Sequence, residues 1–503
     1  MECLMPAKRI LSAALALLLV AAIPVRAGNM PTFTVVDTIN PGPGSSNAIQ
    51  NSGTAFDGYL YISADDGTHG KELWRTNGTT TELVKDINTA NSGADDSNPY
   101  GFTALNGFLY FGAYDDTHGY ELWRTDGSES GTTLVVDLNT NGTAGSGPIG
   151  FTAHGNHLYF SADSGALGRE LYKFDPNNPG NATLVKDIYA GDDADPLELT
   201  GLNGFLYFKA TDAINGTELW RTDGTESGTT LVKNINGGAE GSFPFSLTAF
   251  NGYLYFRAYE STYGWELWRT DGTTAGTTLV EDIYSGPNSS DPYGFTALGS
   301  YLYFVATDAT NGVELWRTDG SESGTTLVKN INSAAEGSSP FLLTALNGYL
   351  YFAARDGVHG TELWRSNGTE PGTTLVGEIN VGDSSSDSAP WNLVAFGDHV
   401  YFTATSDQIT WGIWRTNGSE IDRVPYPTAG QHLNCECVAI QTAGTRLYAV
   451  VYSELIGHEF AYLDDSLPPT NRDGSLWTTT LVILAGLTAA AGIALRVRGA
   501  KRA

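Results

Sequence analysis

The 503-residue chain is poor in cysteine and in positive charge. It has 3 cysteines, and Cys435 and Cys437 are separated by one residue, which is too close for an ordinary disulfide. Free or strained thiols are therefore expected. Lys and Arg number 27 against 56 Asp and Glu, which gives a formal net charge of −29. Because nucleic acid binding depends on cationic side chains that neutralise phosphates, nucleic acid is not an expected partner.

The sequence also lacks the short motifs of common catalytic and metal sites. It contains no G-x-S-x-G elbow, H-E-x-x-H helix, P-loop or cysteine pair at zinc-ligand spacing. Acid pairs of the kind that hydrolyse glycosides stay open, because sequence alone does not select two of so many acids at the required separation. A non-catalytic protein is the expectation.

One motif recurs along the chain at a nearly constant interval. Glu-Leu-Trp-Arg, followed by Thr or Ser and then by Asp-Gly or Asn-Gly, occurs six times. The motif tryptophans, including that of a weaker seventh copy, are Trp74, Trp123, Trp220, Trp268, Trp316, Trp364 and Trp414. Their spacing is 48 to 50 residues, apart from 97 residues across one copy in which Tyr172 replaces Trp. This fixed period predicts a repeat protein whose units bury apolar surface against their neighbours.

Each repeat has the pattern of four short antiparallel strands. In one specimen, residues 246–250 alternate in polarity, Asn251-Gly252 is a two-residue hairpin turn, and residues 253–258 are rich in aromatics. The Glu-Leu-Trp-Arg motif follows as a third strand and residues 277–283 as a fourth. Four-stranded units joined by short turns predict the blades of a β-propeller, in one all-β domain over residues 32–463.

The two ends of the repeat region predict how the array closes. Residues 33–39 match a fourth strand with no strands before it, whereas residues 446–451 and 459–463 match strands two and three of a unit that lacks its fourth. The N-terminal strand is therefore expected to complete the C-terminal blade and to remove two exposed strand edges. Counting second strands gives about nine blades, and an eight-bladed ring with a distorted ninth unit is the alternative.

The repeat resembles the ELWxxDGT repeat family of secreted and surface proteins. The resemblance is carried by residues 121–127, 218–225, 266–273 and 314–320 and extends over residues 33–463. It implies a propeller-like repeat and an extracellular setting, and it brings no catalytic residues. Units three, eight and nine depart from the motif: Tyr172 replaces Trp, Trp414 lacks the preceding Glu, and Glu459 lacks the Trp.

Apolar segments near both ends predict export and anchoring. Residues 1–27 have the cationic start, apolar run and small-residue cleavage site of a secretory signal peptide. Residues 476–495 are uncharged and long enough for a transmembrane helix, and residues 496–503 form a basic cytoplasmic tail. The linker of residues 464–475 contains Leu-Pro-Pro-Thr-Asn, which is similar to a sortase signal with Asn471 in place of Gly. We therefore expect a propeller outside the cell, attached by one membrane span or by a sortase.

The exported part of the chain is strongly acidic. The signal peptide and the tail carry +2 and +4, so the segment between them holds a formal charge of about −35. One or two acids per repeat are expected at the turn between the second and third strands, on the face that also carries the crossover loops, here called the loop face. As candidate ligands of a cation, with calcium preferred for its affinity for oxygen, we single out Asp65, Asp115, Asp163, Asp212, Asp308, Asp356 and Asp407. Solvated turn acids are the alternative, and no other cofactor is expected.

Structural roles are expected for the other recurring residues. The motif Trp and the Glu two positions before it are predicted to share one side of the third strand and to face the seam between blades. A carboxylate in that seam needs a partner, and the Arg that follows Trp is the candidate, serving the adjacent blade. His69, His118 and His359 each precede a Gly at the same turn and are expected to be turn residues.

These observations predict a surface-anchored β-propeller that binds, adheres or acts as a scaffold through its loop face, without catalysis. The expected partner is an extracellular polysaccharide or protein. The alternatives are a hydrolase or lyase that acts on extracellular polysaccharide, and a structural component of a surface layer. Convergent acids in a central pocket would favour the enzyme, whereas lateral self-association without a ligand would favour the surface layer.

Overall fold

The structure of the protein is a computed structural model. It describes residues 34–35, 39–40, 53–89, 95–380, 387–406, 411–425, 439–443, 446–453 and 457–464. Within these ranges the regular structure consists of 36 β-strands and one 3-10 turn, Gly142–Ala144. The strands form nine antiparallel sheets of four strands each, which we number in chain order. The predicted all-β class is confirmed, as a propeller-like succession of sheets.

The first strand, β1 (Thr34–Val35), belongs to the last sheet, and sheets 1 to 8 each contain four consecutive strands. Sheets 1 to 3 consist of β2 (Thr54–Phe56), β3 (Tyr59–Asp65), β4 (Lys71–Thr76) and β5 (Thr81–Lys85); β6 (Tyr100–Leu105), β7 (Phe108–Asp115), β8 (Gly119–Thr125) and β9 (Thr133–Val136); and β10 (Ile149–His154), β11 (His157–Asp163), β12 (Arg169–Phe174) and β13 (Ala182–Lys186). Sheets 4 to 6 consist of β14 (Leu197–Leu202), β15 (Phe205–Asp212), β16 (Gly216–Thr222) and β17 (Thr230–Lys233); β18 (Phe245–Phe250), β19 (Tyr253–Glu260), β20 (Gly264–Thr270) and β21 (Thr278–Glu281); and β22 (Tyr293–Leu298), β23 (Tyr301–Asp308), β24 (Gly312–Thr318) and β25 (Thr326–Lys329). Sheets 7 and 8 consist of β26 (Phe341–Leu346), β27 (Tyr349–Arg355), β28 (Thr361–Ser366) and β29 (Thr374–Gly377); and β30 (Trp391–Phe396), β31 (His399–Thr405), β32 (Trp411–Thr416) and β33 (Ile421–Arg423).

Sheet 9 combines strands from both ends of the repeat region. Its order is β34 (Ala439–Ala443), β35 (Arg446–Ser453), β36 (Gly457–Asp464) and then β1. β1 is antiparallel to β36, with Thr34 opposite Tyr462 and Val35 opposite Ala461. The N-terminal strand thus supplies the fourth strand of the last sheet, as its isolated position in the sequence predicts.

Local sequence explains the four strands of each sheet. In sheet 5, Asn251 and Gly252 both have positive φ, 48° and 80°, as a two-residue type I′ hairpin turn requires. This turn sets the register of β18 and β19, with Phe250 opposite Tyr253. β18 also contains a bulge near its start, and the same bulge recurs in the first strands of sheets 2, 3, 4, 6, 7 and 8. The repeated sequence therefore imposes one backbone plan on successive sheets.

Apolar side chains pack between neighbouring sheets. Trp268 of sheet 5 is 5% exposed and lies in a cluster with Tyr207 and Leu219 of sheet 4. The other motif tryptophans pack against the preceding sheet in the same way; they are Trp74, Trp123, Trp220, Trp316, Trp364 and Trp414. Their predicted position in the seam is what the structure shows.

The same packing joins the last sheet to the first. Trp74 of sheet 1 shares a cluster with Tyr448 of sheet 9, and Leu447 of sheet 9 shares another with Tyr401 of sheet 8. The first strands of neighbouring sheets contact one another in a cycle that includes β34 and β2. First strands therefore lie innermost, and fourth strands lie outermost.

Some predictions concern residues outside the described ranges. They are the signal peptide, the two thiols Cys435 and Cys437, Asp407, residues 465–475 of the linker, the transmembrane segment 476–495 and the basic tail. Among the residues that the structure describes, no helix is long and apolar enough to cross a membrane. Nine sheets in the described ranges match the count of second strands, including the ninth unit that departs from the motif.

Candidate functional site

The predicted metal ligands cap the turns between second and third strands. The carboxylate of Asp115 accepts hydrogen bonds from the backbone N–H groups of Thr117 and His118, both at 2.8 Å. The other described candidates accept equivalent bonds; they are Asp65, Asp163, Asp212, Asp308 and Asp356. Each carboxylate therefore fixes the conformation of its own turn.

Each of these turn acids belongs to a different sheet, at least one repeat from the next, and Glu260 occupies the corresponding place in sheet 5. Within the described ranges, no group of three or more His, Cys, Asp or Glu residues is arranged to hold a metal ion. Asp407, the last candidate, lies outside those ranges. Calcium binding stays a prediction that requires measurement in solution.

The turn histidines bind turn carboxylates through their rings; His118 and His359 bind the candidate ligands Asp115 and Asp356, whereas His69 binds Asp66, next to the candidate Asp65. Nδ1 of His69 lies 2.7 Å from Asp66, and His118 and His359 make equivalent contacts. The hydrogen bond to the aspartate raises the pKa of His69. In sheet 4, Asn215 makes the same contact with its side-chain amide. Because His and Asn interchange here, these side chains act as turn residues, as predicted.

A buried glutamate recurs in the seam and holds the crossover loop that follows. The carboxylate of Glu266 accepts hydrogen bonds from Ser290 Oγ at 2.5 Å, from Ser290 N–H at 2.9 Å and from Ile283 N–H at 3.2 Å. Burial raises the pKa of Glu266 to about 7, and these hydrogen bonds oppose that shift. The prediction that an arginine pairs with this glutamate is wrong, because a serine hydroxyl and backbone amides satisfy the carboxylate.

Six of the described sheets contain such a pair and sheet 3 departs from it. The other five pairs are Glu72 with Ser97, Glu121 with Ser146, Glu218 with Ser242, Glu314 with Ser338 and Glu362 with Ser388. In sheet 3 the corresponding residues are Glu170 and Ala194, and Glu170 Oε2 has no hydrogen-bond partner among the described residues. Ala194 nevertheless keeps the backbone bond to the third strand, at 3.0 Å, as Ser290 does.

The arginine after the motif tryptophan connects its sheet to the next one. Arg317 of sheet 6 donates a hydrogen bond to the carbonyl oxygen of Gly368 in sheet 7 at 2.8 Å. The last sheet makes a related contact with the first. A Cβ added to Gly78 of sheet 1 would lie 2.9 Å from both Arg446 Nη1 and Tyr462 Cδ1 of sheet 9. The expectation that this arginine serves the adjacent sheet is therefore met through a turn carbonyl.

A second repeated motif, Ser-x-Pro, precedes the first strand of sheets 2, 3, 5, 6, 7 and 8, and Ala-Asp-Pro takes its place before sheet 4. Its middle residue has positive φ in every described copy; these residues are Asn98, Gly147, Asp195, Phe243, Asp291, Ser339 and Ala389. Gly, Asn and Asp tolerate this conformation, whereas a bulky aromatic residue is strained in it. Phe243 adopts it with φ of 48° and is 48% exposed. A strained and exposed phenylalanine indicates a functional constraint at the start of sheet 5.

Aromatic side chains follow the proline of this motif in sheets 5 to 8. Phe245, Tyr293 and Trp391 are 43%, 39% and 52% exposed. Phe341 is half-buried, with its ring centroid 5.6 Å from that of Trp391. We call these four residues and Phe243 the aromatic rim. Because first strands lie innermost, the aromatic rim follows the inner edge of the loop face, and four of its five rings are exposed.

Two cationic side chains lie against the aromatic rim. The guanidinium of Arg257 is 5.6 Å from the ring centroid of Phe245 and 4.8 Å from that of Trp265. The ammonium of Lys209 is 5.2 Å from the Phe245 ring. Arg257 also forms an ion pair with Asp291 at 3.5 Å. The rim therefore combines aromatic surface with positive charge in a strongly acidic protein.

A cleft of about 410 Å³ adjoins the aromatic rim in sheet 7. It lies between the crossover loop of residues 332–339 and the ends of β27 and β28, and its lining includes Phe341 and Arg355. Sequence analysis located the loop face and missed both the cleft and the rim. The available signal was the Ser-x-Pro motif followed by an aromatic residue, which begins at residues 97, 242, 290, 338 and 388.

No protein-family model and no curated protein matches the chain. Among solved structures, it is similar to a structure from a study of two prolyl endopeptidases, with a TM-score of 0.40, 16% identity, and coverage of 70% of this chain and 54% of that one. It is also similar to a puromycin-hydrolyzing peptidase of Mycobacterium tuberculosis (TM-score 0.39, 11% identity, 75% and 61% coverage) and to a puromycin hydrolase (TM-score 0.35, 14% identity, 70% and 58% coverage). The chain thus spans little more than half the length of these peptidases.

Proposed function

We propose that the protein is a non-catalytic binding protein of the cell surface, whose ligand contacts the aromatic rim. The observation that carries this proposal is the exposure of Phe245, Tyr293 and Trp391 at matching places in sheets 5, 6 and 8, with the exposed Phe243 beside the first of them. Exposed aromatic side chains are rigid and amphipathic, and they supply much of the binding energy at protein interfaces. The ligand is an extracellular polymer, a polysaccharide or a protein, that lies along the inner edge of the loop face.

The binding surface belongs, in this proposal, to a closed β-propeller of nine blades. Support comes from the pairing of β1 with β36 and from the cluster that joins Trp74 to Tyr448. The contact of Arg446 and Tyr462 with Gly78 resembles the contacts between earlier sheets. The motif further supports membership of the ELWxxDGT repeat family.

The proposed location is the cell surface, with the propeller outside. The signal peptide of residues 1–27 and the uncharged segment of residues 476–495 support it. A variant that lacks residues 467–503 should appear in the medium, whereas the full-length protein should stay with the cell envelope. Uncut full-length protein in the medium would contradict anchoring, and a product that ends at Thr470 would support attachment by a sortase.

Binding assays on the aromatic rim test the proposed function. The full-length protein in detergent is incubated with insoluble extracellular polysaccharides and with immobilised matrix proteins, and bound protein is measured as a function of concentration. Trp391→Ala and Tyr293→Ala should each weaken binding by about tenfold or more, since central aromatic contacts contribute about 2 kcal/mol. Ile214→Ala is the matched control, because Ile214 is 76% exposed but aliphatic and lies in sheet 4, which contributes no residue to the rim.

Binding equal to that of the wild type by all three variants would exclude the aromatic rim as the ligand site. Release of reducing ends or of unsaturated sugars from a bound polysaccharide would favour the hydrolase or lyase alternative. Ordered self-association without any ligand would favour the surface-layer alternative.

A further inference from the structure

The cleft beside the aromatic rim is formed by polar and charged side chains around one aromatic ring. Its lining includes Ser339, Phe341, Arg355 and Thr361, with Glu336 on the crossover loop. Arg355 and Thr361 lie opposite each other on β27 and β28. A volume of about 410 Å³ is within the range of small-ligand sites.

Sheet 5 fills the equivalent space with its own aromatic rings. In the places that Ser, Arg and Thr occupy in sheet 7, sheet 5 has Phe243, Tyr259 and Trp265. The ring centroid of Trp265 lies 5.6 Å from that of Tyr259 and 6.4 Å from that of Phe243. A planar ring therefore fits this part of the fold.

Sheet 2 gives the same result with different residues. The ring of Tyr120, which matches Trp265 in sheet 5, lies 5.1 Å from Tyr114 and 5.9 Å from Tyr100. Tyr100 in turn matches Phe341 of sheet 7. The cleft of sheet 7 is thus a ring-sized space beside Phe341 that two other sheets fill from their own sequence.

The charge in the cleft differs from that at the same register elsewhere. In sheet 1 this register pairs Asp65 with Lys71 across the strands, and sheet 3 likewise pairs an acid with a base. Arg355 is exposed and faces Thr361, which carries no charge. In a chain with a net charge of −29, an exposed guanidinium beside a ring-sized space favours an anionic ligand.

We propose that this cleft binds one hexuronate ring of an acidic polysaccharide. The inference rests on the proposed function, because it names the ligand class of the same surface. The sugar ring lies against Phe341, in the position that Trp265 takes in sheet 5, and its carboxylate accepts hydrogen bonds from Arg355. Its hydroxyl groups donate to Glu336. Trp391, whose ring is 5.6 Å from that of Phe341, offers a platform to the next sugar of the chain.

The combination of groups selects a hexuronate over other ligands of similar size. A guanidinium binds a carboxylate through two parallel hydrogen bonds, and a neutral sugar does not use that geometry. A phosphate group has no ring to fill the space beside Phe341. An unsubstituted aromatic ligand would leave both charged side chains without new hydrogen bonds.

Titration calorimetry with defined oligosaccharides tests the proposal. The full-length protein in detergent is titrated with trimers of galacturonate and of mannuronate, and with the same trimers after reduction of their carboxyl groups to alcohols. Wild-type protein should bind at least one acidic trimer about tenfold or more tightly than its reduced form. Arg355→Thr, which introduces the residue found at this register in sheets 4 and 6, should remove that preference.

A filling variant separates the cleft from the rest of the surface. Thr361→Trp places in sheet 7 the residue that sheet 5 has at this register, so it should keep the melting temperature and abolish binding of the acidic trimer. Thr217→Trp makes the same change in sheet 4 and should bind as the wild type does. Equal affinity for acidic and reduced trimers, or unchanged binding by Thr361→Trp, overturns the inference. If neutral trimers bind and Trp391→Ala weakens their binding, the proposed function stands without the hexuronate inference. If neither acidic nor neutral trimers bind, the hexuronate assignment is wrong, and the polymer assays decide the proposed function.

Discussion

The hydrogen bond between Ser290 and Glu266 is expected to stabilise the crossover from sheet 5 to sheet 6. Ser290→Ala removes the hydroxyl that lies 2.5 Å from Glu266 Oε2 and keeps the backbone amides that bind the same carboxylate. Sheet 3 offers the opposite change, because Ala194→Ser would supply a hydroxyl to Glu170, whose Oε2 has no partner within the described residues. The backbone N–H groups of Ser290 and Ala194 each donate a hydrogen bond of 3.0 Å to a carbonyl oxygen of the third strand, so the two sites are equivalent.

The magnitude of the effect follows from the burial of the carboxylate. A hydrogen bond to a charged group contributes about 1.5 to 3 kcal/mol, and a buried acceptor without a partner costs about 1 to 3 kcal/mol. We therefore expect Ser290→Ala to lower the free energy of unfolding by about 2 kcal/mol. Ala194→Ser should raise it by about 1 kcal/mol, because the new serine gains the bond but loses rotational freedom.

The cost of Ser290→Ala should depend on pH. The hydroxyl favours the ionised form of Glu266, so its removal raises further a folded-state pKa that burial already raises from 4.5 to about 7. A pKa that is higher in the folded state contributes stability below the unfolded value, and this contribution is lost as pH rises through the folded value. The difference between Ser290→Ala and the wild type should therefore be larger at pH 8 than at pH 5.

Urea unfolding, followed by tryptophan fluorescence at both pH values, measures these differences. The motif tryptophans lie in the seams, so their emission reports separation of the sheets. Ser323→Ala, an exposed turn substitution, is the control and should change the free energy by less than about 0.5 kcal/mol. An unchanged value for Ser290→Ala at pH 8 would refute the stabilising role of the hydroxyl, and a loss of stability in Ala194→Ser would show that sheet 3 has no space for it.

Three other outcomes concern the whole molecule. Burial raises the pKa values of Glu72, Glu218 and Glu362 to about 7, so the folded state binds more protons than the unfolded state between about pH 5 and 8. The melting temperature of the wild type should therefore fall as pH rises over this range. Calorimetry at constant ionic strength measures this change, and a constant melting temperature would contradict the prediction. Deletion of residues 30–40 removes β1 and exposes strand edges. It should therefore lower the free energy of unfolding by about 3 kcal/mol or more, a large share of the usual total of about 5 to 15 kcal/mol. Equal melting temperatures of the deletion variant and the wild type would argue against closure by this strand. Millimolar calcium should raise the melting temperature above its value in a solution of chelator and sodium chloride at equal ionic strength. A ligand at a hundredfold excess over its Kd stabilises the folded protein by about 2.7 kcal/mol. Equal melting temperatures in the two solutions would leave the turn acids as solvated caps.

The order and number of the strands could be predicted because their signals are local. Asn251-Gly252 fixes a hairpin through the φ angles of two residues, and the adjacent strand sequence is repeated with little change. The isolated strand before residue 40 and the incomplete last repeat together indicate where β1 belongs. These inferences use the period of the sequence and need no knowledge of distant contacts.

The partner of the seam glutamate could not be predicted in this way. Periodicity tells which side of the strand Glu266 occupies, but Ser290 is 24 residues further along, in a crossover loop, and the repeat does not tell which groups so far apart in sequence meet in space. Opposite charge alone favours arginine as the partner. The loop instead supplies a hydroxyl and backbone N–H groups, which neutralise no charge but satisfy the oxygen atoms in a smaller space.

The aromatic rim escaped prediction because exposure depends on the neighbouring sheet. Phe245 follows a proline as the half-buried Tyr100 and Phe341 do, and its sequence alone does not distinguish it from them. Its 43% exposure results from the position of the first strand at the inner edge, which is a property of the assembled sheets. The cleft escaped prediction for the same reason, since in the sequence Arg355 and Thr361 are ordinary residues at the ends of strands.

Comparison among the nine sheets separates residues that the fold requires from residues that it does not. The position before the proline requires positive φ, and small or polar residues meet that requirement in six of the seven described copies. Phe243 therefore introduces strain, of about 1 to 3 kcal/mol, that the backbone plan does not demand. At the register where sheet 1 pairs Asp65 with Lys71, sheet 7 has Arg355 opposite the uncharged Thr361. Both departures lie on the loop face beside aromatic rings, and the ligand contact that we propose would account for them where folding does not.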